Sequence, residues 1–322
     1  MWEIFLFKTL YKNKQNVTIL MKNLKRRNFI MYKLVAIDLD GTLLNSYGEV
    51  SNKNKEIIQK AMQKGVEVVL SSGRPIMSVK NLANEIGCNN YIICGNGAIT
   101  YDIQSEEIIY DKFLEKSKVL QIIKICEENS IFFNVYTKDT ILTKNLNYNI
   151  LFYNQENATK PEDKKTRITI MQNIEEYIQN RNEEDYLKIT VCDNDKVVFG
   201  SIIRKLRTIK DIDVLDVAHM SRKLIKDGTE NVLMQYYYTE ISNTNVDKWQ
   251  AIFDLTERLN IKRDEVIAIG DNVNDAEMIK EAGLGVMMGN AAPYIKEMAD
   301  VVVSDNDNDG VAEAIEKYIL TE

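Results

Sequence analysis

Four times in this chain a short apolar run, rich in β-branched residues, stops at a cluster of Asp, Ser, Asn and Gly. Leu34-Val35-Ala36-Ile37 runs into Asp38-Leu39-Asp40-Gly41-Thr42, and Val66 to Leu70 runs into Ser71-Ser72-Gly73-Arg74. Tyr91 to Cys94 ends in Gly95-Asn96-Gly97, and Val266 to Ile269 ends in Gly270-Asp271-Asn272-Val273-Asn274-Asp275. A strand whose side chains are apolar in both directions must be buried on both faces, which is the condition of a parallel sheet covered by helices. The helical cover is legible too. Asn52 to Lys64 places Ile57, Ile58, Ala61 and Met62 on one face, and Arg74-Pro75 opens a second helix with Val79, Leu82, Ala83 and Ile86 inward. Late in the chain the alternation returns: a helix from about Lys248 to Leu259, one across Ala276 to Ala282, short strands at Gly285 to Met288 and Asp300 to Val303, and a last helix after Gly310. The expected fold is α/β, a Rossmann-like doubly wound parallel sheet whose two halves are far apart in sequence.

Between the halves the period changes. Hairpin-like pairs such as Ile131 to Tyr136 with Thr140 to Thr143, then Tyr186 to Val191 and Val214 to Val217, alternate with helical stretches at Lys118 to Glu128 and Val197 to Ile209. This predicts an inserted α+β domain over 113–240, with the core supplied by 31–112 and 241–322. Residues 1–30 carry +6 of a net charge of -7, leaving -13 on the remainder. They read as an appended extension, disordered or mis-started, because Met31 stands just before the first convincing strand; a basic amphipathic membrane-surface helix is the alternative, and Trp2 to Phe7 is too short and too early for a secretory signal. An acidic chain of this kind is not expected to bind nucleic acid. It has no apolar run near the roughly 18 residues of a membrane span. The four cysteines, Cys88, Cys94, Cys126 and Cys192, have no close spacing and read as buried thiols of a reducing, cytoplasmic compartment. A single histidine, His219, excludes metal sites built from several imidazoles. Oligomeric state leaves no mark in the sequence.

In an open parallel sheet, ligands bind beyond the carboxyl ends of the strands. Asp38, Asp40 and the acidic turn at 271–275 would meet there, from two strands distant in sequence. One acidic turn is explained well enough by backbone preference. Two of them plus a Ser-Gly turn, each directly after a buried strand, point to a site. Carboxylates that close raise one another's pKa unless a cation neutralises them, and an all-oxygen set suits magnesium better than zinc.

The segments DLDGTL at 38–43, SGR at 72–74, NGA at 96–98, Lys248, GDNVND at 270–275, GLGVMMGNA at 283–291 and DG at 309–310 together resemble the haloacid dehalogenase superfamily of phosphotransferases. The subgroup they resemble is the Cof-like hydrolases with a large cap, over essentially all of Met31 to Glu322. The resemblance implies a phosphatase that needs Mg2+ and hydrolyses small phosphorylated metabolites, sugar phosphates or phosphorylated cofactors, with the insert as a cap. It implies Asp38 as the nucleophile that becomes an aspartyl phosphate and Asp40 as general acid and base. Metal would be held by Asp38, the backbone carbonyl of Asp40, Asp271 and Asp275, and phosphate by Ser72, Gly73, Asn96, Lys248 and Asn274. A sugar phosphomutase on the same core, or a non-catalytic phosphometabolite-binding regulator, are the alternatives. On spacing alone Lys248 reads as a solvated first-turn lysine, and Arg74 as a residue that packs or bonds a neighbouring carboxylate. Trp249 stands where the family has a small residue, and either crowds the entrance or anchors its helix. Tyr236-Tyr237-Tyr238 reads as part of a strand joining insert to core.

Overall fold

Residues 31–162, 165–215, 221–227 and 230–321 are described by the computed structural model; the extension over 1–30, His219 and the end of the strand expected at Val214 to Val217 lie outside the described residues. In chain order the first part of the core comprises β1 (Leu34–Ile37), α1 (Asn52–Gln63), β2 (Glu67–Ser71), α2 (Ile76–Ile86), β3 (Tyr91–Cys94), β4 (Ile99–Asp102) and β5 (Glu107–Asp111). The insert follows with α3 (Lys116–Glu128), β6 (Phe132–Thr137), β7 (Ile141–Thr143), α4 (Asn149–Thr159), β8 (Ile168–Ile170), α5 (Ile174–Asn180), β9 (Tyr186–Asp193), α6 (Lys196–Leu206), β10 (Ile212–Val214), β11 (Ser221–Asp227) and β12 (Glu230–Asn243). The chain then returns to the core through α7 (Lys248–Leu259), β13 (Val266–Gly270), α8 (Ala276–Glu281), β14 (Leu284–Met287), α9 (Pro293–Lys296), β15 (Val301–Val302) and α10 (Gly310–Ile315).

Among the described residues the core sheet has eight strands in the order β15-β14-β13-β1-β2-β3-β4-β5, and β15 through β3 are parallel. The period of two along each strand decides which layer each side chain joins. Val35, Ile37, Val68, Leu70, Ile92, Ile267 and Ile269 pack on one face with α1, α2 and α10. Leu34, Ala36, Val69, Ile93, Val266 and Ala268 pack on the other with α7, α8 and α9. This is the doubly wound core that the apolar runs require. The hairpin β4/β5, which extends the sheet in antiparallel sense beyond β3, was not read from the sequence. Its strands are short and β5 is half-exposed, so they lack the continuous apolar signature of the others.

The inserted α+β cap domain has its own antiparallel-dominated sheet, β10-β12-β9-β6-β7-β8, with β11 paired to β12. Its apolar face, including Val135, Ile189, Val191 and Ile241, is covered by α3 and α6. Strand β12 contains Tyr236 to Tyr238 and runs through the expected boundary at 240 to Asn243, pairing Glu240 with Thr190 and Ile241 with Ile189. It carries the chain from the cap back toward the core. All four cysteines are buried and free, and burial pushes the Cys88 thiol up to about 12, so none presents a thiolate at neutral pH. Among the described residues no helix is long and apolar enough to cross a membrane.

One contact joins the third strand end to the start of α7. Gly97 has φ +99°, and a Cβ there would lie 2.0 Å from the carbonyl oxygen of Asp247. Gly97→Ala is expected to lose about 2–5 kcal/mol of stability, from left-handed strain plus a backbone clash. Gly48, at φ +78°, has nothing within 4 Å of such a Cβ. Gly48→Ala should therefore lose only about 1 kcal/mol in the same urea titration; equal losses would contradict the packing role of Gly97.

Candidate active site

Asp38 is the first residue past β1, its backbone N–H still bonded to the Ile269 carbonyl at 3.0 Å, and its side chain is buried. Because β1 and β13 are parallel neighbours, with Ile37 opposite Ile269, the turn after β13 opens beside it. Gly41, at φ +83°, keeps the two turns close: a Cβ there would lie 2.5 Å from Asp271 Oδ2. The Thr42 hydroxyl donates to Asp271 Oδ1 at 3.1 Å. Asp275 is fully buried, and its Oδ2 accepts the backbone N–H groups of Asp271 and Asn272, both at 3.0 Å.

Lys248 completes the centre. It stands in the first turn of α7, a helix capped by Asp247, whose side chain accepts the Gln250 N–H at 2.9 Å. It is not the solvated first-turn lysine that spacing alone suggests: the side chain is fully buried in the acidic cluster, and its ammonium donates to Asp38 Oδ1 and, at 2.6 Å, to Asp275 Oδ1. Burial opposes its charge, but the carboxylates of Asp275 and Asp38 outweigh that and hold it protonated. Trp249 is buried in the α7 layer against Phe253, with ring centroids 6.4 Å apart, and so anchors the helix.

Asp38, Asp271 and Asp275 offer oxygens that all lie within 4.8 Å of one another. Full charges at that spacing repel by roughly 3–4 kcal/mol per pair at an effective dielectric of about 20. Burial first, then Asp275, raises Asp38 well above the carboxylate range against the pull of Lys248. The same two causes push Asp271 up to about 7. One ammonium against three carboxylates leaves a deficit of two positive charges, which one divalent cation supplies, and the all-oxygen donor set suits a hard one. Asp275 has both oxygens engaged by Lys248 and the backbone, so it fits the role of fixing the cluster better than that of direct ligand.

Asp40 does not join that cluster through its carboxylate. The side chain is 58% exposed and is gripped by Arg74, whose Nε and Nη2 donate to Oδ2 and Oδ1 at 2.9 and 2.7 Å. The same guanidinium reaches the cap, donating to both carboxylate oxygens of Glu156 on α4 at 3.2 and 3.1 Å. Arg74 thus bonds a neighbouring carboxylate as expected, and a second one that only the tertiary structure supplies.

The turns at 72–74, 95–97 and 274 are interlaced. Ser72 is buried and its Oγ accepts the Arg74 N–H at 3.2 Å. The backbone N–H of Asn96 bonds the Ser72 carbonyl at 2.9 Å and that of Gly95 bonds the Arg74 carbonyl at 3.1 Å. Asn274 donates to Asn96 Oδ1 at 3.1 Å, and the Asn96 amide donates to Glu240 of the cap. Glu240 also receives Lys188 Nζ at 2.7 Å. A cavity of about 290 Å³ opens between core and cap, its lining including Asn96, Asn274, Lys188 and Glu240.

Sequence reading missed Thr42, Asn290, Glu156, Lys188 and Glu240. The first two lie inside segments already singled out, and Asn290 Nδ2 donates to the Gly41 carbonyl at 2.8 Å. The other three are cap residues with no local pattern to mark them.

A sequence family described as haloacid dehalogenase-like hydrolase matches residues 35–315. The 5-amino-6-(5-phospho-D-ribitylamino)uracil phosphatase of Bacillus subtilis is 28% identical over 295 residues, covering 92% of this chain and 99% of the relative. The pyridoxal phosphate phosphatase of Escherichia coli is 24% identical, over 89% of this chain and 99% of its own. A solved haloacid dehalogenase-like hydrolase from Bacteroides thetaiotaomicron superposes with a TM-score of 0.71 at 31% identity, covering 89% of this chain and 99% of that one.

The electrostatics make a pH prediction for the metal-free protein. An acid whose ionisation is resisted in the folded state destabilises it only where the unfolded chain would be ionised, so the penalty is absent below about 4 and grows as pH rises. For Asp271 that growth extends to about 7. Asp271→Asn is therefore expected to gain stability relative to the parent, in EDTA, progressively between those values. A difference in melting temperature that stays flat with pH would contradict the raised pKa.

Proposed function

Since this chain belongs to the haloacid dehalogenase-like hydrolase family and is an enzyme of phosphoric monoester hydrolysis, we propose that it releases phosphate from small phosphorylated metabolites through an aspartyl phosphate on Asp38, with Mg2+ as cofactor. The observation that carries this reading is the buried ammonium of Lys248 on one oxygen of Asp38, which leaves the second oxygen to attack. Two relatives named for different phosphorylated metabolites support a small phosphate ester as substrate class without selecting one.

In the first half-reaction a carboxylate oxygen of Asp38 bonds to phosphorus while the bond from phosphorus to the ester oxygen breaks. Asp40 gives its proton to the departing alkoxide. In the second, Asp40 takes a proton from water, whose oxygen attacks phosphorus, freeing phosphate and restoring the Asp38 carboxylate. Splitting the reaction this way lowers the barrier each step must cross, and acid–base help of this kind contributes typically ~10²–10⁴ in rate. The Arg74 N–H groups occupy both Asp40 oxygens in this structure, so Asp40 must release one of them to carry the proton, and Lys248 orients Asp38. Ser72, Gly73, Asn96 and Asn274 are proposed to line the phosphate pocket. Asp38, Asp271 and the backbone carbonyl of Asp40 would hold Mg2+, with Asp275 fixing their arrangement. Bound there, the cation supplies the positive charge that offsets repulsion between a carboxylate nucleophile and a phosphate dianion.

The insert, read from sequence as 113–240, is proposed as the lid over this site, since closing a cap excludes bulk water. Four buried free thiols support a cytoplasmic location. Asp38→Asn is expected to lower magnesium-dependent phosphate release from p-nitrophenyl phosphate by at least ~10³-fold. Full activity in that variant would sink the mechanism.

A further inference from the structure

The face of the cap sheet that looks at the core carries a lysine for which the proposed reaction has no use. Lys188 lies on β9 between Leu187 and Ile189, on the opposite side of the strand from the apolar face. It is 4% exposed. A lysine so buried must be paired, and Glu240 does this at 2.7 Å while the Tyr136 ring lies 5.0 Å beneath Nζ. Among the described residues that is its one hydrogen bond, so two of its three N–H groups remain for another acceptor.

Its position gives those groups a purpose. A Cβ on Gly73 would lie 3.0 Å from Lys188 Nζ and 2.8 Å from Asn96 Oδ1. The absence of a side chain at 73 is what lets the cap lysine reach the loop proposed to hold phosphate. From there the cavity of about 290 Å³ extends past Glu240 to Asp213 and Asp247, with Val214 and Val246 as an apolar wall. That volume is at the small end of ligand sites. It fits a leaving group of sugar size.

We propose that Lys188 and Glu240 are the specificity-determining pair of the cap, and that together they read the hydroxyl groups of an uncharged, polyhydroxylated leaving group; this rests on the phosphatase reading above. A hydroxyl accepts from the Lys188 ammonium and donates to a Glu240 oxygen, so adjacent hydroxyls satisfy both partners without breaking the pair. A leaving group with a second phosphate or carboxylate meets the opposite situation. Among the described lining residues the one cation is already matched by Glu240, and the carboxylates of Asp213 and Asp247 face the same space. A planar ring finds no aromatic side chain to stack on among the described lining residues.

The test uses the full chain with Mg2+ and compares kcat/KM on sorbitol phosphate, fructose bisphosphate, pyridoxal phosphate and p-nitrophenyl phosphate. The parent is expected to favour sorbitol phosphate over the bisphosphate and the pyridoxal ester by roughly tenfold or more. In Lys188→Met the ratio of kcat/KM for sorbitol phosphate to that for p-nitrophenyl phosphate should fall roughly 10- to 100-fold, mainly through KM. Lys188→Met alone strands a buried Glu240 carboxylate, so the double variant Lys188→Met/Glu240→Gln, which removes both charges together, is measured beside it and should show the same fall. A ratio within about threefold of the parent in both variants overturns the assignment, as does a parent that prefers the bisphosphate or the pyridoxal ester. Absence of phosphate release from every substrate by the parent would instead remove the phosphatase reading itself, which keeps the two failures apart.

Discussion

The ammonium of Lys248, fully buried between Asp38 and Asp275, is the contact on which the rest of the site depends. Three carboxylates within 4.8 Å at the edge of a hydrophobic sheet would push one another apart or take up protons. One lysine holds two of them in place and leaves a deficit of positive charge that one divalent cation would fill. The fold supplies this lysine from afar. Residue 248 follows the whole insert, and α7 is set by its Asp247 cap, by Trp249 in the layer beneath the sheet, and by Gly97 against the Asp247 carbonyl.

Parallel pairing does the complementary work. With β1 and β13 side by side in register, two turns that are more than 200 residues apart end at the same height, and Gly41 removes the Cβ that would separate them. Asp275 then spends one oxygen on Lys248 and the other on two backbone N–H groups. Such a fully bonded carboxylate is rigid. Rigidity there fixes the turn that carries Asp271, because Asp275 bonds the Asp271 N–H, and through Lys248 it fixes Asp38.

What the sequence made legible follows from how local each signal is. Asp38, Asp271 and Asp275 could be found because each stands directly after a run too apolar to be anything but a buried strand, and the sheet's handedness and layering then place the strand ends together. Lys248 was visible only through its place after the insert; nothing in its own neighbourhood distinguishes a fully buried lysine from a solvated one in a first helical turn. The hairpin β4/β5 went unread because half-exposed strands lack a continuous apolar run. Glu156, Lys188 and Glu240 were beyond reach for a different reason. Glu156 and Glu240 bond Arg74 and Asn96 of the core, Lys188 bonds Glu240, and which cap residues meet the core depends on how one sheet sits over the other. The alternation Lys188-Ile189-Thr190-Val191 marks a strand with one polar face, but only the assembled structure shows that Lys188 on this face lies against Gly73 of the core.

In the proposed mechanism Asp38, held by Lys248, carries the phosphoryl group between the two half-reactions. Acid quenching during turnover of a phosphate monoester, borohydride reduction of the acyl phosphate and peptide mass spectrometry test it directly. Asp38 alone is expected to be converted to the reduced side chain. Reduction at Asp40 or Asp271, or steady phosphate release with no reducible acyl phosphate on Asp38, would contradict it.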